Sequence, residues 1–167
     1  MSMKQLKLLE EFNKRETTEH GGDLSKGKRK TARPIAVKRA MHVVFRSDNA
    51  KGSTSFTRNN QSIRSVLQKE AKRFYVKLYK VAICGNHIHM CVKAKTKEGF
   101  KNFLRATSGQ IAKLSKIKLW STIPYTRIIE WGKAFKEVLQ YVHKNELETL
   151  GLIPYTPRKR KRPQVNF

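Results

Sequence analysis

Apolar and polar positions along the chain alternate between two periods, and their order predicts an α+β domain. Ala40-Met41-His42-Val43-Val44-Phe45-Arg46 is β-rich and reads as a strand, followed by a polar Gly/Ser/Asn segment. Ile63, Val66, Leu67 and Phe74 fall at helical spacing, with Arg64, Lys69 and Lys72 on the opposite side. Val76 to Cys84 reads as a strand with Tyr79, Val81 and Ile83 on one face. Gly85-Asn86 is a tight hairpin signal, and His87 to Lys95 is the returning strand. Phe100, Phe103, Leu104, Ile111 and Leu114 mark a second helix. Trp120 to Ile129 is strand-like although Pro124 weakens it. Phe135, Val138, Leu139 and Val142 mark a last helix that fades towards Gly151 and Pro154. The order β-α-β-β-α-β-α is met most economically by one ferredoxin-like antiparallel sheet with helices packed on it.

The pattern thins at both ends. Leu6, Leu9 and Phe12 could form a short amphipathic helix, which His20-Gly21-Gly22-Asp23 interrupts. Lys26, Lys28, Arg29, Lys30 and Arg33 then lead into the domain, while Pro154, Pro157 and Pro163 bracket the run Arg158-Lys159-Arg160-Lys161-Arg162. A like-charge block beside prolines reads as a solvated tail that seeks nucleic acid. The expected organisation is a basic, partly flexible N-terminal extension over 1–32, a folded domain over 33–153 and a basic C-terminal tail over 154–167.

Charge narrows the partner. Lys and Arg number 37 against 12 Asp and Glu, a formal net charge of +25, which draws the protein to polyanions. Nucleic acid is the default, because neutralising phosphates releases counterions. A membrane is not expected: the apolar runs are too short to span a bilayer, and the basic runs have no apolar helical face. Cys84 and Cys91 fit neither C-x-x-C spacing nor a disulfide framework, and the first residues lack a signal peptide's apolar core. These features predict a soluble, intracellular, reduced protein.

The candidate chemistry lies on the strand beginning at His87. Alternation puts Ile88, Met90, Val92 and Ala94 on one face and His87, His89 and Cys91 on the other. Two imidazoles one pleat apart can converge on one cation. By itself, His-x-His is equally the mark of packed or surface histidines. On the last helix Tyr141 and Asn145 are spaced i, i+4 and flank the apolar stripe, so Tyr141 can present its hydroxyl at a helix–sheet seam. Asn145 can offer a carbonyl oxygen to a hard cation. A partly buried tyrosine with a bonded hydroxyl is the plainer alternative. His143 points elsewhere, as a surface residue or a phosphate contact.

Here the residues carry a resemblance. His87-Ile88-His89 resembles the HUH motif of single-tyrosine nucleases, the small insertion-sequence transposases and their REP-associated relatives. Tyr141-Val142-His143-Lys144-Asn145 is similar to that family's tyrosine helix, in which an Asn or Gln four residues after the Tyr completes a metal site. Lys28 to Pro34, His42 to Arg46, Pro124 to Gly132 and Leu150 to Arg158 also look like this group, so the resemblance spans roughly Gly21 to Lys161. REP-associated members commonly follow the Asn with Pro, whereas Glu146 stands here.

The resemblance implies a prokaryotic, cytoplasmic, nucleoid-associated endonuclease and strand-transferase. His87, His89 and Asn145 would hold Mg²⁺ or Mn²⁺ against a scissile phosphate. Tyr141 would form a 5′-phosphotyrosine link to single-stranded or hairpin DNA, in a monomer or a homodimer. Arg46, Lys93, Lys95, Arg105, Arg127 and Lys133, with Arg158, Lys159, Arg160, Lys161 and Arg162, are candidates for holding the strand. Tyr125, Trp120 and Trp131 are candidate stacking platforms. The main alternative is a ferredoxin-like protein that binds nucleic acid without chemistry, or a domesticated transposase. A zinc hydrolase using His87, His89 and Cys91 is a third reading, poorly served by a stretched row of ligands with no glutamate base.

Overall fold

A computed structural model describes residues 18–157. The helix expected around Leu6, Leu9 and Phe12 and the basic run Arg158 to Arg162 lie outside the described residues. Five strands, β1 (Glu19–His20), β2 (Ala40–Arg46), β3 (Val76–Ile83), β4 (His87–Ala94) and β5 (Tyr125–Ile129), form one sheet in the order β1-β5-β2-β4-β3. Every neighbouring pair is antiparallel. Among the described residues three α-helices pack on it: α1 (Asn60–Arg73), α2 (Lys97–Ser115) and α3 (Lys133–Thr149). The fold is the α+β, ferredoxin-like arrangement that the periodicities predict, with one small strand added at an edge.

The two faces of the sheet are unequal. Met41, Val43 and Phe45 of β2 and Ile88, Met90 and Val92 of β4 face α1 and α2, where they bury Ile63, Leu67, Phe100, Phe103 and Ile111. The opposite face carries a thinner apolar cluster of Ala40, Ala82, Cys84, Cys91 and Ile129, closed by Val138 and Val142 of α3. Helix α3 packs mainly over β3 and β4 and reaches β2 and β5 at Ala40 and Ile129, so the rest of the β2–β5 half of this face is more open. That asymmetry creates the groove described below.

Three details depart from the sequence expectation. In β3, Leu78 pairs with Val92 but Lys80 pairs with Cys91, so Tyr79 is the extra residue of a bulge. Tyr79 and Lys80 therefore both serve the α3 face, and Val81 and Ile83 face the main core, instead of Tyr79, Val81 and Ile83 sharing one side. The strand expected from Trp120 begins only at Tyr125, after Pro124, which has no N–H to donate to a ladder. Lastly, the basic leader is tied to the domain: β1 pairs with β5, the Gly22 amide donates to the Ile123 carbonyl at 2.9 Å, and Arg33 donates to Pro124 O and Thr126 Oγ1.

Candidate active site

The pleat of β4 aims its histidines at the α3 side while Ile88, Met90, Val92 and Ala94 fill the main core. The rings of His87 and His89 lie 4.8 Å apart between centroids. Each is held through Nδ1: His87 Nδ1 is 2.8 Å from Asn86 Oδ1, and His89 Nδ1 is 3.2 Å from His42 Nε2. An amide oxygen only accepts, so the proton between His87 and Asn86 belongs to His87 Nδ1. Metal-ligating histidines are oriented in this way, one nitrogen donating to a second partner.

Helix α3 delivers the tyrosine. It starts after Gly132, whose φ of 90° turns the chain off β5, and docks through Val138 and Val142. Tyr141 stands at the edge of this contact, half-buried, with its ring 5.3 Å from His89 and 5.9 Å from His42, edge-on to both. One turn on, Asn145 lies inside the interface, 2% exposed, and not beside the apolar stripe. Its side-chain Nδ2 donates to the Tyr141 carbonyl at 2.7 Å, and its backbone carbonyl accepts from Thr149 Oγ1 and from the Cys84 thiol. The amide oxygen is the atom through which Asn145 could meet a cation.

His42 and Glu19 are the members that the sequence reading missed. On β2, His42 shares the α3 face with Ala40 and Val44 and is 7% exposed, a burial that the strand's alternation by itself does not reveal. Burial, and secondarily the charge of Arg127, lowers its pKa to about 4, so the ring is neutral at physiological pH. Glu19 accepts a hydrogen bond from the Tyr125 hydroxyl, and burial together with this carboxylate raises the Tyr125 pKa well above its ordinary value.

Between α3 and the β1–β5 edge runs a groove of about 900 Å³, lined by His42, His89, Tyr125, Arg127, Glu137 and Tyr141 among others. Arg127 and Tyr141 thus line the same groove. Arg46 stands opposite His87 in the β2–β4 register and pairs with Asp48 and Asp23 on the surface. Lys93 lies over the ring of Trp131, exposed Lys133 starts α3, Lys95 covers Tyr75 at the far corner, and Arg105 is exposed on α2 beneath the opposite face. Trp120 packs on Phe45 and Phe56 and donates to the Ser108 carbonyl, a core role, whereas Trp131 is 45% exposed. Cys91 is fully buried beneath α3, and burial raises its thiol to about 12, which leaves it a neutral core residue and a poor zinc ligand.

The departure at Glu146 also has a structural place. Its carboxylate takes Lys80 Nζ at 2.8 Å, with His143 Nδ1 at 3.5 Å and Arg64 at 3.7 Å. Burial works to raise its pKa, but Lys80, His143 and Arg64 outweigh that and hold it below the usual carboxylate range. Lys80 and Glu146 pin the later turns of α3 to the bulged edge of β3.

The candidate donors are the two imidazoles of β4, of which His89 lines the groove, and the amide oxygen of Asn145 on α3. They suit a hard or borderline divalent cation that keeps positions for a substrate. Among the described residues no cluster of three or more His, Cys, Asp or Glu side chains is arranged for a metal ion. Nor is any helix among them long and apolar enough to cross a membrane.

Two histidines of the sheet and a helix-borne tyrosine meet at this groove, and sequence comparison gives the family. The family model for IS200-like transposases matches residues 36–145, and the chain belongs to that family of transposases. Among solved structures it is similar to a REP-associated tyrosine transposase bound to a REP hairpin, at 14% identity and a TM-score of 0.62, covering 72% of this chain and 73% of that one. A Deinococcus radiodurans protein described as a transposase matches at 12% identity and a TM-score of 0.42, over 71% of this chain and 98% of that one. No curated protein matches the chain.

Proposed function

We propose that this transposase is a metal-dependent endonuclease and strand-transferase for single-stranded DNA, acting in the cytoplasm through Tyr141 of its own chain. The observation that carries the reading is the meeting of Tyr141 with His89 and His42 within one chain, at the wall of a groove that also holds Arg127. The hairpin as substrate feature is taken from the structural neighbour, which was solved on one.

A divalent cation, Mg²⁺ or Mn²⁺, held by His87, His89 and Asn145 would supply Lewis acidity towards a phosphate oxygen. The remaining work falls to side chains. Tyr141 Oη attacks phosphorus; the O–P bond forms as the bond from phosphorus to the 3′ oxygen breaks. The phenol gives up its proton and the departing 3′ oxygen takes one up. The protein stays on the 5′ phosphate, and attack by another 3′-OH reverses the exchange. One phosphodiester replaces another, so no ATP is needed. A free phenol has a pKa of about 10 and is a weak nucleophile at neutral pH, so attack needs cationic surroundings. Arg127, which lines the same groove, would neutralise the phosphate. Tyr125 is the poorer nucleophile, since burial and Glu19 keep its hydroxyl protonated.

Incubating the full chain with hairpin-bearing single strands and Mn²⁺ should give cleavage and an adduct that survives denaturation. Tyr141→Phe should lose both and keep binding. Oligonucleotides that shift in a native gel and are never cut would return the non-catalytic reading.

A further inference from the structure

We propose that His42 is a positioning residue that sets the tautomer of His89, and so decides which nitrogen that ring presents to a cation. The inference rests on the reading of His87 and His89 as metal ligands. His42 lies on the neighbouring strand, 7% exposed, with Nε2 at 3.2 Å from His89 Nδ1 and ring planes only 13° apart. The rings of Tyr141 and Tyr125 stand edge-on to it at 5.9 and 6.3 Å, which fixes its own orientation.

A phenylalanine would fill this space at lower cost, because burying a polar ring is unfavourable unless its polar atoms are used. The use visible here is the bond to His89. Two imidazoles sharing one hydrogen bond have two arrangements. If the proton sits on His42 Nε2, His89 carries its own proton on Nε2 and cannot ligate through it. If it sits on His89 Nδ1, His42 accepts it and the lone pair lies on His89 Nε2. His87 is already set in the second way by Asn86 Oδ1, at 2.8 Å. His42 and Asn86 therefore perform one task for two ligands on adjacent same-face positions of β4, so that both rings offer Nε2. Alternation along a single strand could not achieve this, because the partner of His89 comes from β2.

The test is Mn²⁺ affinity of the DNA-free protein, read from the free-ion signal in electron paramagnetic resonance. His42→Phe keeps an aromatic ring and removes the acceptor; its affinity should fall 10- to 100-fold. His42→Gln, whose side-chain oxygen can accept from His89 Nδ1, should recover most of it. Equal affinity in His42→Phe and wild type overturns the proposal, as does a Gln variant no better than Phe, which would mean packing. If His89→Ala binds Mn²⁺ like wild type, the metal-site reading itself fails, and the proposal with it. A measurement without variants covers the case of a Phe mutant that does not fold: long-range ¹H–¹⁵N spectra of the wild-type imidazoles with Mg²⁺. These should show His87 and His89 both protonated at Nδ1, and a proton on His89 Nε2 overturns the assignment.

Discussion

His42 carries two consequences of one burial. Its pKa of about 4 in the fold compares with about 6.5 for a free histidine. As pH falls below about 6.5 the unfolded chain takes up a proton here and the folded chain does not, until about pH 4. Stability from this site is therefore complete above that window and drains through it, by up to about 3 kcal/mol. Denaturant unfolding at pH 7 and pH 4.5 should show a larger acid loss for wild type than for His42→Gln; identical losses would contradict the buried, neutral ring. Cys91 makes a second prediction at this scale. With its thiol raised to about 12 and no exposed surface, it should resist alkylation in the native protein and react only on unfolding. Rapid native labelling of Cys91, detected by mass spectrometry, would show that α3 does not cover it.

At the level of elements, the small strand β1 depends on Gly21. Its φ of 86° and the 2.1 Å that would separate an added Cβ from the Pro124 carbonyl oxygen leave no room for a side chain. Gly21→Ala should cost roughly 1–3 kcal/mol of local strain and free β1 from β5. Hydrogen exchange should then lose protection at the Gly22 and Ile128 amides, which bond to Ile123 O and Thr18 O, and keep it in β4. Unchanged protection at both would contradict the pairing. The long elements were legible in the sequence because each has several turns or pleats of apolar repeat, as in α2 from Phe100 to Ile111 or β4 from Ile88 to Ala94. β1 was not, since two residues make no period. The bulge at Tyr79 was invisible for another reason: it puts Tyr79 and Lys80 on one face, and an aromatic beside a lysine looks the same with or without it. His42 was hidden by tertiary context, because the value of a polar residue on β2 appears only when β4 is laid beside it.

For the whole molecule, unequal coverage of the two sheet faces turns a common fold into a site. The thick side, under α1 and α2, stabilises the sheet; the thin side leaves β2 and β5 open next to Tyr141. The proposed site residues His87, His89, Tyr141 and Asn145 stand out by motif and spacing, whereas the groove lined by His89 and Tyr141 does not, since it depends on where α3 stops covering the sheet. With a net charge of +25, binding of single strands should weaken steeply with salt. In anisotropy titrations at several salt concentrations, Arg127→Ala should lower the slope of log K against log salt by about 0.7, the loss of one phosphate contact on a single strand. An unchanged slope would place Arg127 off the DNA path.

In the proposed reaction the phenol of Tyr141 becomes the covalent link to DNA. Proteolysis of the denatured protein–oligonucleotide adduct, followed by mass spectrometry of the modified peptide, tests it most directly. The expected product is a nucleotide joined through its 5′ phosphate to Tyr141. Attachment at Tyr125 or Tyr155, or cleavage with no attached nucleotide, would contradict it.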